Sequence, residues 1–246
     1  SGQARMALVG GVHILCNPLP FVGFSKAHML SKDGRCRVFA KNANGYVRSE
    51  GGGLLLLKPL DAALADGDRI HAVIAKTGLN TDGKTLGIAF PNQTAQMALL
   101  RTLYDDPALD LRNLCYMEAH GTGTAAGDPV EARSIGEVFS ALRPAGDPLL
   151  VGSVKSNLGH LEPASGIAGL LKAILVLKHK TAPPCLHLAE TNPDIDCPSL
   201  GISFVTEPTP LPATPGPALA GVNSFGFGGA NAHVLLEESP ADPGPV

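Results

Sequence analysis

Long apolar runs are missing from this chain. The most apolar helical stretch, residues 166–177, is too short to span a bilayer, and Lys172 interrupts it. Behind Arg5, the run from Met6 to Cys16 faintly resembles a signal peptide. Gly10, Gly11 and His13 break it and no small-residue cleavage site follows, so a buried strand is expected there instead. Charge is scarce: charged residues make up 17% and the net charge is -3. No basic stripe interleaved with aromatics appears, which removes the electrostatic case for nucleic acid. The five cysteines, at 16, 36, 115, 185 and 197, form no CxxC and no even framework. That usage fits reduced, inert thiols in a cytoplasmic protein better than disulfides or zinc. There is no repeat at solenoid period. The sequon at Asn92-Gln93-Thr94 carries no weight without secretion.

What is present is apolar content and glycine-rich strand ends. A chain of 246 residues, 44% of them hydrophobic, suffices for one large domain or two small ones. Residues 4–15 read as an interior strand with no polar lead-in, as if the chain opened in the middle of a fold. Residues 21–30 read as a short helix closed by the turn Lys32-Asp33-Gly34. Residues 46–60 read as two strand segments around a bulge or close backbone approach at Gly51-Gly52-Gly53. A short helix is expected over 60–65, a strand over 69–77, and a helix over 92–103 with Ala95, Ala98, Leu99 and Leu103 on one face. Residues 115–118 and 149–154 read as strands. Asp128 as N-cap and Pro129 at the first position open a helix through Leu142. A long helix follows over about 164–179. Residues 180–217 are proline-rich and irregular, with one strand at 202–205. Strands over 218–223 and 232–237 flank Ser224 to Asn231, SFGFGGAN. Residues 239–246 look like the start of a linker.

Two strand ends carry the chemistry. One breaks into Glu118-Ala119-His120-Gly121-Thr122-Gly123-Thr124, the other into Lys155-Ser156-Asn157-Leu158-Gly159-His160. Such ends are where α/β proteins place their sites, because the scaffold is rigid and a glycine backbone approaches a ligand closely. A lone histidine is ordinarily a bystander; two on matching loops point to a paired-histidine site. Neutral imidazoles donating N–H groups suit a developing oxyanion or enolate. Neither histidine has a carboxylate or cysteine at i+3 or i+4, which argues against metal. Lys155 is a strand-end surface charge on the plain reading. Beside two histidines, a cation would fix their protonation and hold negative charge nearby. Phe225 and Phe227, flanked by glycines, are core anchors or part of a loop that swings. His28, His71, His179 and His187 have no such context and are assigned to surface or packing.

Two nucleotide motifs fail on their surroundings. Gly78 to Thr85 satisfies G-x-x-x-x-G-K-[ST], but glycine and proline follow where a helix must begin. Gly121, Gly123 and Ala126 miss the third glycine of GxGxxG, and a dinucleotide site would also need an acid at the end of the next strand.

EAHGTGTAAGDPVE, VGSVKSNLGHLEPASGIAGLLK and NSFGFGGANAHVLLEE, together with FVGFSKAHMLSKDGRCRVF and NGYVRSEGGG, resemble the signature segments of β-ketoacyl synthase (ketosynthase) domains. The style is that of modular polyketide synthases and animal-type fatty acid synthases, and the likeness runs from about Ala7 to Glu238. It implies a thiolase-like α/β fold of αβαβα layers, with residues 1–238 as the C-terminal portion: the end of the first thiolase half plus the second half. It implies decarboxylative Claisen condensation between a Cys-bound acyl group and a carrier-bound malonyl-type extender. By motif, His120 and His160 match the two active-site histidines and Lys155 the active-site lysine. Thr122 and Thr124 match contacts to the phosphopantetheine arm, Phe227 the gating phenylalanine, and Asn157 a further substrate-binding position.

The family's nucleophile segment, of the form D-T-A-C-S-S-S, is absent, and none of the five cysteines has its context. Cys16 precedes no helix directly, and a nucleophilic thiol needs helix-N-terminal amides and a nearby histidine. The resemblance therefore implies an incomplete fold, lacking the N-terminal strands and the nucleophile helix, with the thiol supplied by a separate N-terminal fragment. The expected partners are that fragment, an acyl carrier protein and a second copy in a dimer of the assembled domain, with neither nucleic acid nor membrane. No cofactor is expected on this chain, since phosphopantetheine arrives on the carrier. The alternative is a non-condensing remnant that docks the carrier or only decarboxylates. On either reading, a fragment without its neighbouring strands is expected to expose apolar edges and to have a second chain beside it.

Overall fold

The computed structural model describes residues 4–88, 90–140, 143 and 146–240. Its elements in chain order are β1 (Ala7–His13), α1 (Leu19–Lys26), β2 (Gly51–Leu57), α2 (Leu60–Ala65), β3 (Ala72–Thr81), α3 (Gln93–Tyr104), β4 (Leu114–Glu118) and α4 (Gly127–Phe139). Then come β5 (Leu149–Gly152), α5 (Lys155–Leu158), α6 (Ser165–His179), β6 (Thr181–Ala182), α7 (Cys197–Leu200), β7 (Ile202–Phe204), β8 (Thr209–Pro210), β9 (Leu219–Phe225) and β10 (Ala230–Glu238).

The main sheet has the order β3-β10-β9-β4-β5-β7. β9, β4, β5 and β7 pair in parallel, while β10 is antiparallel to both its neighbours. Parallel strands need cover on both faces, and every residue of β4 is buried. One face takes α3 and α4, through Leu99, Leu103, Ile135 and Phe139 against Met117 and Leu149. The opposite face takes α6, through Ala173, Val176 and Leu177 against Tyr116 and Val222. A register slip between Leu114 and Tyr116 puts Cys115 and Tyr116 together on the α6 side.

Helix α6 is covered a second time by the antiparallel two-stranded sheet of β1 and β2. A Cβ at Gly53 would lie 2.8 Å from Leu171 Cδ1, so glycine lets this backbone approach the helix closely. The outer face of this two-stranded sheet is bare: Leu8, Val12, Leu54 and Leu56 are 67–69% exposed.

Several expectations are corrected. Among the described residues β1 pairs with β2 alone and turns one face to solvent. The 46–60 stretch holds one unbroken strand, paired residue for residue with β1; its glycines serve close approach rather than a bulge, Gly52 to β1 and Gly53 to α6. Tyr46 and Arg48 form only isolated bridges, to Leu30 and His160. Asp128 does not cap α4, which begins at Gly127 with no side-chain cap bond. α4 ends at Phe139, and Leu142 lies outside the described residues. β5 stops at Gly152, where the chain turns into α5. Residues 180–217 add β6, β8 and α7 to the expected strand. Residues 241–246 of the expected linker lie outside the described residues.

Gly78 to Thr81, the start of the phosphate-loop lookalike, continues β3 in pairing with β10, and among the described residues no helix begins between β3 and Gln93. Asn92 caps that helix, its Oδ1 accepting from the Ala95 N–H at 3.3 Å. Among the described residues no helix is long and apolar enough to cross a membrane.

Candidate active site

β4 and β5 are parallel neighbours, so their C-terminal ends deliver both histidine loops to the same edge of the sheet. The His120 and His160 rings lie 5.7 Å apart between centroids, at 80°. Both line a cavity of about 900 Å³.

Each ring is held in one tautomer. The Phe225 N–H donates to His120 Nδ1 at 3.2 Å, and the Glu162 N–H donates to His160 Nδ1 at 2.9 Å. A nitrogen that accepts from a backbone amide carries no proton, so each neutral ring keeps its hydrogen on Nε2. Burial, then the Lys155 charge, then His160, hold His120 well below the ordinary imidazole range. Burial, then Lys155 and His13, lower His160 to about 2. The cavity therefore holds two uncharged N–H donors.

The His120 loop is fastened by the first two turns of α4. Glu131 accepts from the backbone N–H groups of His120 at 2.7 Å and Gly121 at 2.8 Å, and from Asn223 Nδ2 at 2.9 Å. Asp128 accepts from the N–H groups of Thr122 at 3.2 Å, Gly123 at 3.1 Å and Phe39 at 2.6 Å. Burial pushes Asp128 up to about 7 and raises Glu131, while these amides pull the other way. Behind Asn223, His233 Nδ1 meets its Oδ1 at 2.6 Å and His233 Nε2 meets the Tyr104 hydroxyl at 2.9 Å. The loop's shape is thus fixed by a buried polar chain running through β9, β10 and α3.

Lys155 is buried and is not among the residues lining the cavity. Its Nζ donates to the His120 carbonyl oxygen, so it grips the loop from beneath rather than facing a ligand. Burial lowers its pKa, while Glu118, Glu131, Cys36 and Asp128 support its charge. Thr122 and Thr124 line the cavity, their hydroxyls 3.1 Å apart. Phe227 lines it too, half exposed, edge-on to Phe24 at 6.0 Å. Asn157 is elsewhere. It is exposed, donates to the Pro184 carbonyl at 3.3 Å, and lines a separate apolar cavity of about 670 Å³ between β2 and α6.

Of the cysteines at 16, 36, 115, 185 and 197, none lines the histidine cavity. Burial raises the thiols of Cys36, Cys115, Cys185 and Cys197, the reverse of nucleophile activation.

Sequence reasoning missed Glu131, Asn223 and His233, and gave Asp128 the wrong partner. The signal for the two acids was their i, i+3 spacing in DPVE directly after the glycine loop, which puts both carboxylates on one helix face. Glu118 was also passed over. Its carboxylate accepts from the Val154 N–H and, at 2.7 Å, from the Tyr116 hydroxyl, tying the first loop's strand to the start of the second loop. Nothing local in the sequence announces that contact.

Family models match nearly the whole chain. The β-ketoacyl synthase N-terminal domain matches residues 1–63, its C-terminal domain residues 71–189, and the ketoacyl-synthetase C-terminal extension residues 192–245. A phenolphthiocerol/phthiocerol polyketide synthase of Mycobacterium tuberculosis is 47% identical over 96% of this chain and 13% of its own length. A hybrid PKS-NRPS synthetase of Neonectria sp. is 48% identical over 96% of this chain and 6% of its own. Among solved structures, the ketosynthase from module 6 of the bacillaene synthase of Bacillus subtilis 168 superposes with a TM-score of 0.91 at 40% identity, over 96% of this chain and 42% of that one. An oxazolomycin ketosynthase domain of Streptomyces albus JA3453 gives 0.92 at 38% identity, over 98% and 43%. This chain thus spans less than half the length of those ketosynthases and a small part of the curated relatives. With the strand order, the paired loops and these matches in agreement, the chain belongs to the β-ketoacyl synthase family, as a fragment of a ketosynthase of the modular polyketide synthase type with a thiolase-like α/β fold.

Proposed function

We propose that this chain carries the decarboxylating and enolate-stabilising part of a decarboxylative Claisen condensation. A malonyl-type thioester on the phosphopantetheine arm of an acyl carrier protein enters the histidine cavity, with Thr122 and Thr124 beside the arm and Phe227 at the acyl side. Its C–C bond to the carboxylate breaks and carbon dioxide leaves. The electron pair remains as an enolate whose oxygen accepts from the Nε2–H groups of His120 and His160. The enolate carbon then attacks an acyl thioester held on a cysteine of the ketosynthase's N-terminal portion. A C–C bond forms, the C–S bond breaks, and thiolate departs. Lys155 keeps the His120 loop in place and contributes positive potential under it.

The observation that carries this reading is the pair of neutral rings whose Nδ1 atoms are both occupied by backbone amides. Donors fixed in advance, in a buried site, stabilise developing negative charge most effectively.

The test is to incubate the chain with a malonyl-loaded carrier and follow the carrier's mass. Loss of carbon dioxide is expected from the chain alone, and chain extension only after the N-terminal fragment is added and acylated on its cysteine. His120→Ala or His160→Ala is expected to slow decarboxylation by roughly 10²–10³-fold. Carrier binding with no decarboxylation favours pure docking. Suppression of the activity by a chelator defeats the histidine roles.

A further inference from the structure

Glu162 adopts a backbone conformation that its own sequence does not select. Its φ is +43°, left-handed for a residue with a Cβ. It also precedes Pro163, whose ring disfavours helical conformations in the residue before it. Something outside the loop must hold it there, and the structure shows what does.

Arg48 sets its guanidinium fork on the Glu162 carboxylate. Nε donates to Oε1, and Nη2 donates to Oε2 at 2.9 Å. Two parallel N–H donors on one carboxylate fix direction as well as distance. The Arg48 side chain is only 3% exposed. Two aromatic rings of α1 cover its guanidinium, Phe21 at 4.6 Å and Phe24 at 5.6 Å. His13 of β1 brings Nε2 to 3.2 Å from Glu162 Oε2 on the same carboxylate. The Tyr46 ring packs on His160 at 4.9 Å.

Arg48 also grips the other end of the same turn through its backbone neighbours. The His160 N–H donates to the Val47 carbonyl at 2.7 Å, and the Ser49 N–H donates to the His160 carbonyl at 3.0 Å. The stretch 47–49 therefore holds His160 by its main chain and Glu162 by its side chain. Between them, the Glu162 N–H is aimed at His160 Nδ1. His120 needs no such device, because its Nδ1 is met by an amide at the end of a regular strand, β9.

We propose that Arg48 and Glu162 are a positioning pair that sets the ring tautomer of His160. Their ion pair holds Glu162 in its left-handed conformation, and that conformation presents the amide that keeps Nδ1 unprotonated. Without it the proton is free to occupy Nδ1, and Nε2 becomes an acceptor that repels an enolate. The purpose of the device rests on the function proposed above; its existence does not.

Long-range ¹H–¹⁵N spectra of the chain labelled in its imidazole nitrogens test this without carrier, thiol or turnover. Wild type is expected to show His120 and His160 each as a single Nε2–H tautomer at neutral pH. In Arg48→Gln and Glu162→Gln, the His160 nitrogens are expected to move towards tautomer-averaged shifts while the His120 shifts stay. Arg48→Lys keeps the cation but not the fork. It is expected to give an intermediate mixture, and it supplies the comparison where the glutamine variants do not fold. A folded variant whose His160 retains the wild-type shifts overturns the proposal. So does one in which His120 moves as far as His160, since that marks general loosening. If the His160 shifts move as expected but the wild-type chain fails to decarboxylate a malonyl carrier, the functional reading falls and the positioning pair stands.

Discussion

Two imidazoles that stay neutral inside a protein put an acid limit on its stability. In the unfolded chain an imidazole takes a proton near its ordinary pKa of 6.5, whereas folded His160 resists to about 2. Between those values the unfolded state holds the extra proton. Stability is therefore lost as pH falls, by about 1.4 kcal/mol per pH unit for this one ring. Asp128 has the opposite sign. Its folded pKa is pushed up to about 7 from 3.8, so in that window the folded state holds the extra proton and stability is lost as pH rises. The wild-type curve sums both, so a difference measurement is needed. His160→Gln is expected to gain about 1.4 kcal/mol per pH unit on wild type as pH falls from about 6 to about 4. Urea unfolding at each pH checks this, and a gap independent of pH would contradict a neutral buried His160.

At the scale of elements, β4, α6 and the entry to α5 meet at one buried carboxylate. Lys172 Nζ lies 3.0 Å from Glu118 Oε2, with both side chains almost wholly buried. The contact is off-line for a good hydrogen bond, so the ammonium depends on charge pairing rather than on donor geometry. Glu118→Gln is expected to cost about 3 kcal/mol by stranding that ammonium, and Glu118→Gln with Lys172→Met to recover much of the loss. Additive losses in a double-mutant cycle by thermal or denaturant unfolding would disprove the pairing.

The strands and long helices here were legible because each is a periodic or continuous apolar run closed by glycine or proline. The positions of His120 and His160 were legible for the same reason: each ends such a run. The contacts that fix those rings were not. Glu162 and Phe225 act through backbone amides, which have no residue signature. Asp128 looked like a helix cap because its neighbours are Gly127 and Pro129; its real partners are amides of the preceding glycine loop and Phe39, the last 89 residues away in sequence. Asn157 was carried over by motif, but α5 turns its side chain away from the histidines.

For the whole molecule, the uncovered outer face of β1 and β2 is a large exposed apolar surface. Leu8, Val12, Leu54 and Leu56 form an apolar patch on a two-stranded sheet that, among the described residues, has no strand at either edge. Such a surface promotes association. Light scattering is expected to show concentration-dependent self-association of the chain alone, and Leu54→Lys with Leu56→Lys to suppress it with an unchanged urea midpoint. Persistent association in that double variant would place the sticky surface elsewhere.

The β1–β2 sheet rests on the protein through α6 and the turn over 162–164. It is therefore expected to open while the six-stranded sheet stays intact. Native-state hydrogen exchange is expected to reveal two tiers, with the amides of β1 and β2 exchanging through a partial opening and those of β4 and β9 only through global unfolding. Because His13 and Gly53 travel with β1 and β2, each opening also releases one of the groups that steady the second histidine. The site's order is thus tied to the seating of β1 and β2.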